Sequence, residues 1–230
     1  MTNHEALNNA IKSLTENFQY SISQTQREIN ASIVRLDIIN TISSVINGSP
    51  ISEVLHEVQN DLLNSLIFCL QCYYRPANIC LRSAIELLLS FLYYYDNRYD
   101  FILWRNDKID MSWTKLTDSE RGVFNEQFLS LVYGKTLNVT TLADDIKRLY
   151  HATSQFVHGK YDFMQRVITD NVKYSEKQVK DFFAIRKEIE ELSCILLYIR
   201  LHDILDSNLD PENILELKRL TKKYEVNDHE

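Results

Sequence analysis

The chain has 230 residues, only 4 of them glycine and 3 proline, and a formal net charge of -7. So few turn-forming residues exclude an all-β fold, which needs such residues every few positions, and point to helices joined by short polar loops. Gly48, Gly122, Gly134 and Gly159 all stand more than ten residues apart, so neither a Rossmann nor a Walker loop can be built and no nucleotide cofactor is expected. The acidic balance argues against a protein that coats nucleic acid by bulk charge, although a local basic face can still meet a phosphate. Apolar residues make up 45% and charged residues 25%, the proportions of a globular domain with a sizeable core. The first residues, Met1 to Glu5, lack the basic and apolar stretches of a signal peptide. The longest uncharged apolar run, Leu62 to Tyr74, is 13 residues, too short for a bilayer, so a cytoplasmic protein without membrane contact is expected.

In chain order, Leu7, Ile11, Leu14, Phe18, Ile22 and Ile29 lay an apolar stripe on a long first helix that reaches about Ile46. Asn47-Gly48-Ser49-Pro50 ends it. Pro50 suits the first turn of a second helix, where Val54, Val58, Leu62, Leu66 and Leu70 carry the pattern to Tyr74. Pro76 opens a third helix through Leu92, and Tyr95 to Thr117 reads as an ordered loop whose two tryptophans pack on the bundle. A fourth helix is predicted from Asp118 to Tyr133, stopped by Gly134, and a fifth capped by Thr141 runs on to Gly159. Ser175 and Gln178 form a capping box before a long sixth helix with Val179, Phe182, Phe183, Ile189, Leu192 and Leu205 on its apolar face. Asp210-Pro211 starts a last amphipathic helix using Ile214, Leu215, Leu217 and Leu220. The fold class is therefore all-α, an antiparallel helical bundle spanning 49–206, with a long N-terminal helix over 1–48 and a C-terminal helix and tail over 207–230.

Two constellations are candidates for chemistry. In the fifth helix Arg148, His151, Gln155 and His158 fall within one stripe under about 90° wide, beside a core stripe of Leu149, Ala152 and Phe156. With Lys160 and Arg166 nearby, this is a candidate phosphate-binding face. His158 stands just before Gly159, and a helix C-terminus favours the imidazolium, which suits a general acid or base. In the third helix Arg82 and Glu86, four apart, interrupt an intensely apolar stretch. They either pair with one another or line a polar pocket with Ser154 and His158. Cys69-x-x-Cys72 matches half a zinc motif, but no second pair follows, so both are read as core residues and no metal or cofactor is expected. The tyrosine runs at 73–74 and 93–95 read as packing at helix ends.

The segment Tyr74-Arg-Pro-Ala-Asn-Ile-Cys-Leu-Arg82-Ser-Ala-Ile-Glu86, with Ser154-Gln-Phe-Val157-His158-Gly159 further on, resembles HEPN-like helical proteins over roughly residues 50–205. The resemblance implies a helical bundle that often dimerises and, in active members, a metal-independent endoribonuclease with an Arg-x(4–6)-His motif, serving bacterial toxin or antiviral defence systems. It makes His158 the general acid/base, Arg82 or Arg148 the phosphate-holding cation and His151 a helper, with RNA as substrate. The partner would be a second copy or a protein of the same operon. Where the family's arginine belongs, this chain has Ala152 and Thr153, and Arg148 lies ten steps from His158, about 15 Å along a helix. A cation from the third helix or from a second protomer would have to stand in. The competing expectation is a degenerate structural or sensing subunit that binds a partner protein through its long helices.

Overall fold

A computed structural model describes residues 3–157 and 173–226. Among them the chain is all-α: α1 Asn3–Val45, α2 Ser52–Leu70, α3 Tyr74–Asp96, α4 Arg98–Arg105, α5 Trp113–Leu116, α6 Glu126–Tyr133, α7 Val139–Val157, α8 Glu176–Asn208 and α9 Pro211–Thr221. A 3-10 turn, Lys222–Tyr224, follows, and an isolated bridge joins Leu137 to Glu225.

The helix boundaries follow local chemistry. Gly48, at φ +99°, turns the chain between α1 and α2, and α2 begins two residues after Pro50 rather than at it. It ends at Leu70, short of the expected Tyr74, because Cys72 takes a left-handed φ of +64° and Tyr73 N donates to Phe68 O at 2.8 Å. The stretch from Tyr95 to Thr117 is more regular than expected and holds α4 and α5. Conversely, the helix expected from Asp118 covers only Glu126–Tyr133. Asp118 Oδ1 accepts from the amides of Glu120 and Arg121 and winds the preceding residues into a turn, which Gly122 N closes onto Asp118 O at 2.9 Å. Asn125 caps α6 and Gly134, at φ +72°, terminates it. Asn138 rather than Thr141 caps α7, accepting from Thr141 N at 3.1 Å. Ser175 caps α8 through Gln178 N, and Pro211 opens α9, both as expected.

The packing is mixed in direction. Short turns reverse α1 into α2 and α2 into α3. Yet Tyr74 Oη accepts from Ser175 N at 2.9 Å, and Arg200 meets Asp96 at 3.3 Å at the far end, so α3 and α8 run parallel. Likewise Tyr20 packs edge-on to Tyr174 and Arg35 meets Glu190, which makes α1 parallel to α8. Val54, Val58, Leu62, Leu66 and Leu70 are all buried, as their spacing predicts. Along α1 the buried seam differs from the expected one. It starts at Ser21 and continues through Thr25, Ile29, Ser32, Ile39 and Ser43, while Ile11 is 54% exposed. Thr25 donates its hydroxyl to Ser21 O at 2.7 Å and adopts a non-helical φ of -129°, which kinks α1 where it meets the bundle.

At the centre of the seam lies an ionic network that the sequence reading passed over. Arg186 and Glu190, one turn apart on α8, have fully buried side chains 2.8 Å apart. Glu190 also accepts from Arg35 Nε at 2.7 Å and Ser32 Oγ at 2.5 Å, while Arg186 donates to Ser32, Ser65 and Leu62 O. The network thereby joins α1, α2 and α8.

The segment after α9, as far as Val226, is tied back to the bundle. Tyr224 Oη donates to Asp145 of α7 at 2.7 Å, Tyr133 Oη to Glu225 at 2.8 Å, and backbone bonds link Asn138 to Tyr224 and Val226 to Thr136. Of the expected α9 face, Leu217 is buried but Leu215 is 71% exposed.

Candidate functional site

The structure brings Arg82 and Glu86 of α3 against Tyr150 of α7. The Arg82 guanidinium donates to Tyr150 Oη at 2.8 Å and to Glu86 Oε1 at 3.1 Å, and Tyr150 Oη donates to the same carboxylate oxygen at 3.1 Å. The guanidinium also lies 4.9 Å from the centre of the Tyr150 ring. On its other side Tyr150 stacks on Trp113 of α5 with ring centres 3.6 Å apart. This explains why the segment after α4 packs as it does: the Trp113 ring covers the aromatic that covers the ion pair. Burial, then the Glu86 charge, raises the Tyr150 pKa, so the phenol keeps the proton it donates. The pair is half-buried rather than enclosed in the core, with side-chain exposures of 17% for Arg82 and 29% for Glu86.

Helix α7 is rotated relative to the expected face. Leu142, Ile146, Leu149 and Thr153 are buried, whereas Ala152 and Phe156 are only partly so. The centre of the buried face therefore shifts towards Tyr150. Arg148 and His151 are exposed, and Gln155 is intermediate. Arg148 is held by Glu188 of α8 and by Asp145 at 3.4 Å, and the Glu188 contact raises its pKa further. Ser154 turns its hydroxyl back to Tyr150 O at 2.6 Å, so its hydrogen bond goes to its own helix rather than to Arg82 or Glu86. His158, Lys160 and Arg166 lie outside the described residues, as does Gly159.

One contributor escaped the sequence reading. Arg75, next to Tyr74, donates Nε to Phe156 O at 2.9 Å and so places a cation at the carbonyl-rich end of α7. Its position beside Pro76 at the start of a helix gives no sign of that reach across 81 residues.

Among the described residues no group of three or more His, Cys, Asp or Glu is arranged to hold a metal ion. Cys69 is fully buried and its thiol pKa is pushed far up by burial, the environment of an inert core residue. No helix of the described residues is long and apolar enough to cross a membrane. No family model, curated protein or solved structure matches the chain.

Proposed function

We propose that this protein is a HEPN-like subunit of a bacterial defence or toxin system whose Arg82–Glu86–Tyr150 cluster holds the fold instead of cleaving RNA. The observation that carries this reading is the state of the two candidate cations. Arg82 is neutralised by Glu86 and covered by Tyr150, and Arg148 is neutralised by Glu188 and Asp145. A phosphate arriving at either must displace a carboxylate already in hydrogen-bond contact, which opposes the preorganised stabilisation a phosphoryl transition state needs. The same contacts give each arginine a structural task, joining α3 to α7 and α7 to α8. A structural or sensing subunit acts by binding, and the long helices α1 and α8 are the surfaces through which it would meet a partner protein.

The experiment compares wild type with His158→Ala and Arg82→Ala on a mixed RNA pool and by thermal melting. The expected result is intact RNA with all three proteins and a lower melting temperature for Arg82→Ala. Cleavage by the wild type that His158→Ala abolishes, with that variant still folded, would replace this reading by the endoribonuclease one.

A further inference from the structure

We infer that the groove between α4 and the start of α2 is a binding site for a small zwitterion with an apolar middle, of the size of a tripeptide. This goes beyond the reading above and is independent of it. Two clefts, of about 660 and about 490 Å³, flank α4 and share Pro50, Phe101 and Arg105, so they form one groove with a waist at those residues. Each is within the size range of small-molecule sites.

The floor is apolar: Val54 and Leu87 with the rings of Phe101 and Trp104 on one side of the waist, Ile51 and Tyr94 on the other. The two ends carry opposite charge. Glu53 and Glu57, one turn apart on α2, share one cleft with Asp107 in the turn after α4, the other cleft has Arg98 and no carboxylate in its lining, and Arg105 stands at the waist between them. Seven residues apart on one helix, the two arginines share a face and are about 10 Å apart along it.

The decisive feature is that these charges do not meet. Arg105 lines the same cleft as Glu53, Glu57 and Asp107, yet among the described residues no ion pair joins it to any of them, and none engages Arg98. A groove lined by aromatic side chains with separated, unmatched charges of both signs is complementary to a ligand with a carboxylate at one end, an ammonium at the other and an apolar group between. The two cleft volumes, about 660 and about 490 Å³, leave room for a ligand of tripeptide size.

The test uses the full chain and the peptide Ala-Phe-Ala with free ends, N-acetylated, or C-amidated. Trp104 reports binding by fluorescence in a Trp113→Phe background, and calorimetry on the wild type checks stoichiometry. The expected result is saturable one-to-one binding of the free peptide, weakened about tenfold or more by blocking either end. Arg98→Gln with Arg105→Gln should lower affinity for the free peptide to that of the amide, and Glu53→Gln with Glu57→Gln should lower it to that of the acetylated form. All four side chains are exposed, so these variants retain the fold. Absence of saturable binding, equal affinity for free and blocked peptides, or phenylacetate binding as tightly as the tripeptide would each overturn the proposal.

Discussion

Glu190 is the residue on which the bundle's internal electrostatics turn, and Glu190→Gln tests that directly. The substitution keeps volume and shape, so no cavity forms, but it removes the negative charge that faces Arg186 at 2.8 Å and Arg35 at 2.7 Å. Arg186 is fully buried, and burial pulls its pKa down against the opposing attraction of Glu190. Without that charge a guanidinium that cannot shed its proton stays buried with only hydroxyl and carbonyl partners. Removing one member of a buried pair typically destabilises by about 3–5 kcal/mol. Because the glutamine carbonyl can still accept one hydrogen bond, the lower end, about 3 kcal/mol, is expected. For a chain of this size that corresponds to a fall in melting temperature of about 6–12 °C. Urea denaturation followed by far-UV circular dichroism gives the free energy. The double variant Arg186→Met with Glu190→Leu removes both buried charges and should recover most of the loss. A loss below about 1 kcal/mol in Glu190→Gln, or a double variant as unstable as the single, would refute the idea that the pair must be balanced.

Two further substitutions probe other parts of the fold. Burial raises the Asp96 pKa to about 6, with Arg200 pulling the other way, so its folded state favours the protonated carboxyl. Its contribution to stability is present below its unfolded pKa, about 4, and is lost as pH rises through about 6. Asp96→Asn, neutral throughout, should gain on the wild type in urea midpoint across that window; the opposite drift would mean that the attraction to Arg200 outweighs burial. At Gly122 an added Cβ would sit 2.5 Å from Asp118 O and 2.6 Å from Leu116 O, both backbone atoms with little room to move. Gly122→Ala should therefore destabilise by about 2 kcal/mol or more, against about 1 kcal/mol for Gly48→Ala, where only the positive φ is strained. Equal melting temperatures for the two would show that the Asp118 turn yields.

What could be read from the sequence divides along a physical line. Apolar periodicity located α2 and α8, and Pro76 marked the start of α3; the Val, Leu, Ile and Phe positions named on α2 and α8 are buried, whereas their buried serines and charged residues went unnamed. The α1 seam was misread towards the N-terminus because its inward residues are Ser21, Thr25, Ser32 and Ser43, which a hydrophobic pattern ignores. Their small side chains allow close helix approach; the Thr25 hydroxyl bonds to Ser21 O of its own helix, Ser32 bonds to Glu190, and Ser21 Oγ lies 3.7 Å from Cys72 Sγ of the α2–α3 turn. The Arg186–Glu190 pair was missed for the same reason: on a helix otherwise rich in exposed Lys and Glu, nothing local distinguishes a buried i,i+4 pair from a solvated one. Only the geometry of three converging helices does.

The candidate site shows the limit more sharply. Spacing correctly singled out Arg82 and Glu86 as partners, yet the group that completes them is Tyr150, which belongs to neither the Arg/His stripe nor the predicted core stripe of its helix. A rotation of α7 by a few tens of degrees decides the matter, since it turns Tyr150 towards Arg82 and leaves Arg148 against Glu188 and His151 exposed. A one-dimensional pattern fixes which residues of a helix share a face but not which neighbour that face meets. Here the neighbour is a carboxylate in both cases, Glu86 for Arg82 and Glu188 for Arg148. Both candidate cations are therefore already matched in the fold, Arg148 by a residue of another helix that its own spacing does not indicate, and charges without an ion pair line the groove beside α4, a segment whose motifs attracted no functional reading. Charge left unpaired beside an apolar floor is a better guide to a binding site than charge that merely recurs at a familiar spacing.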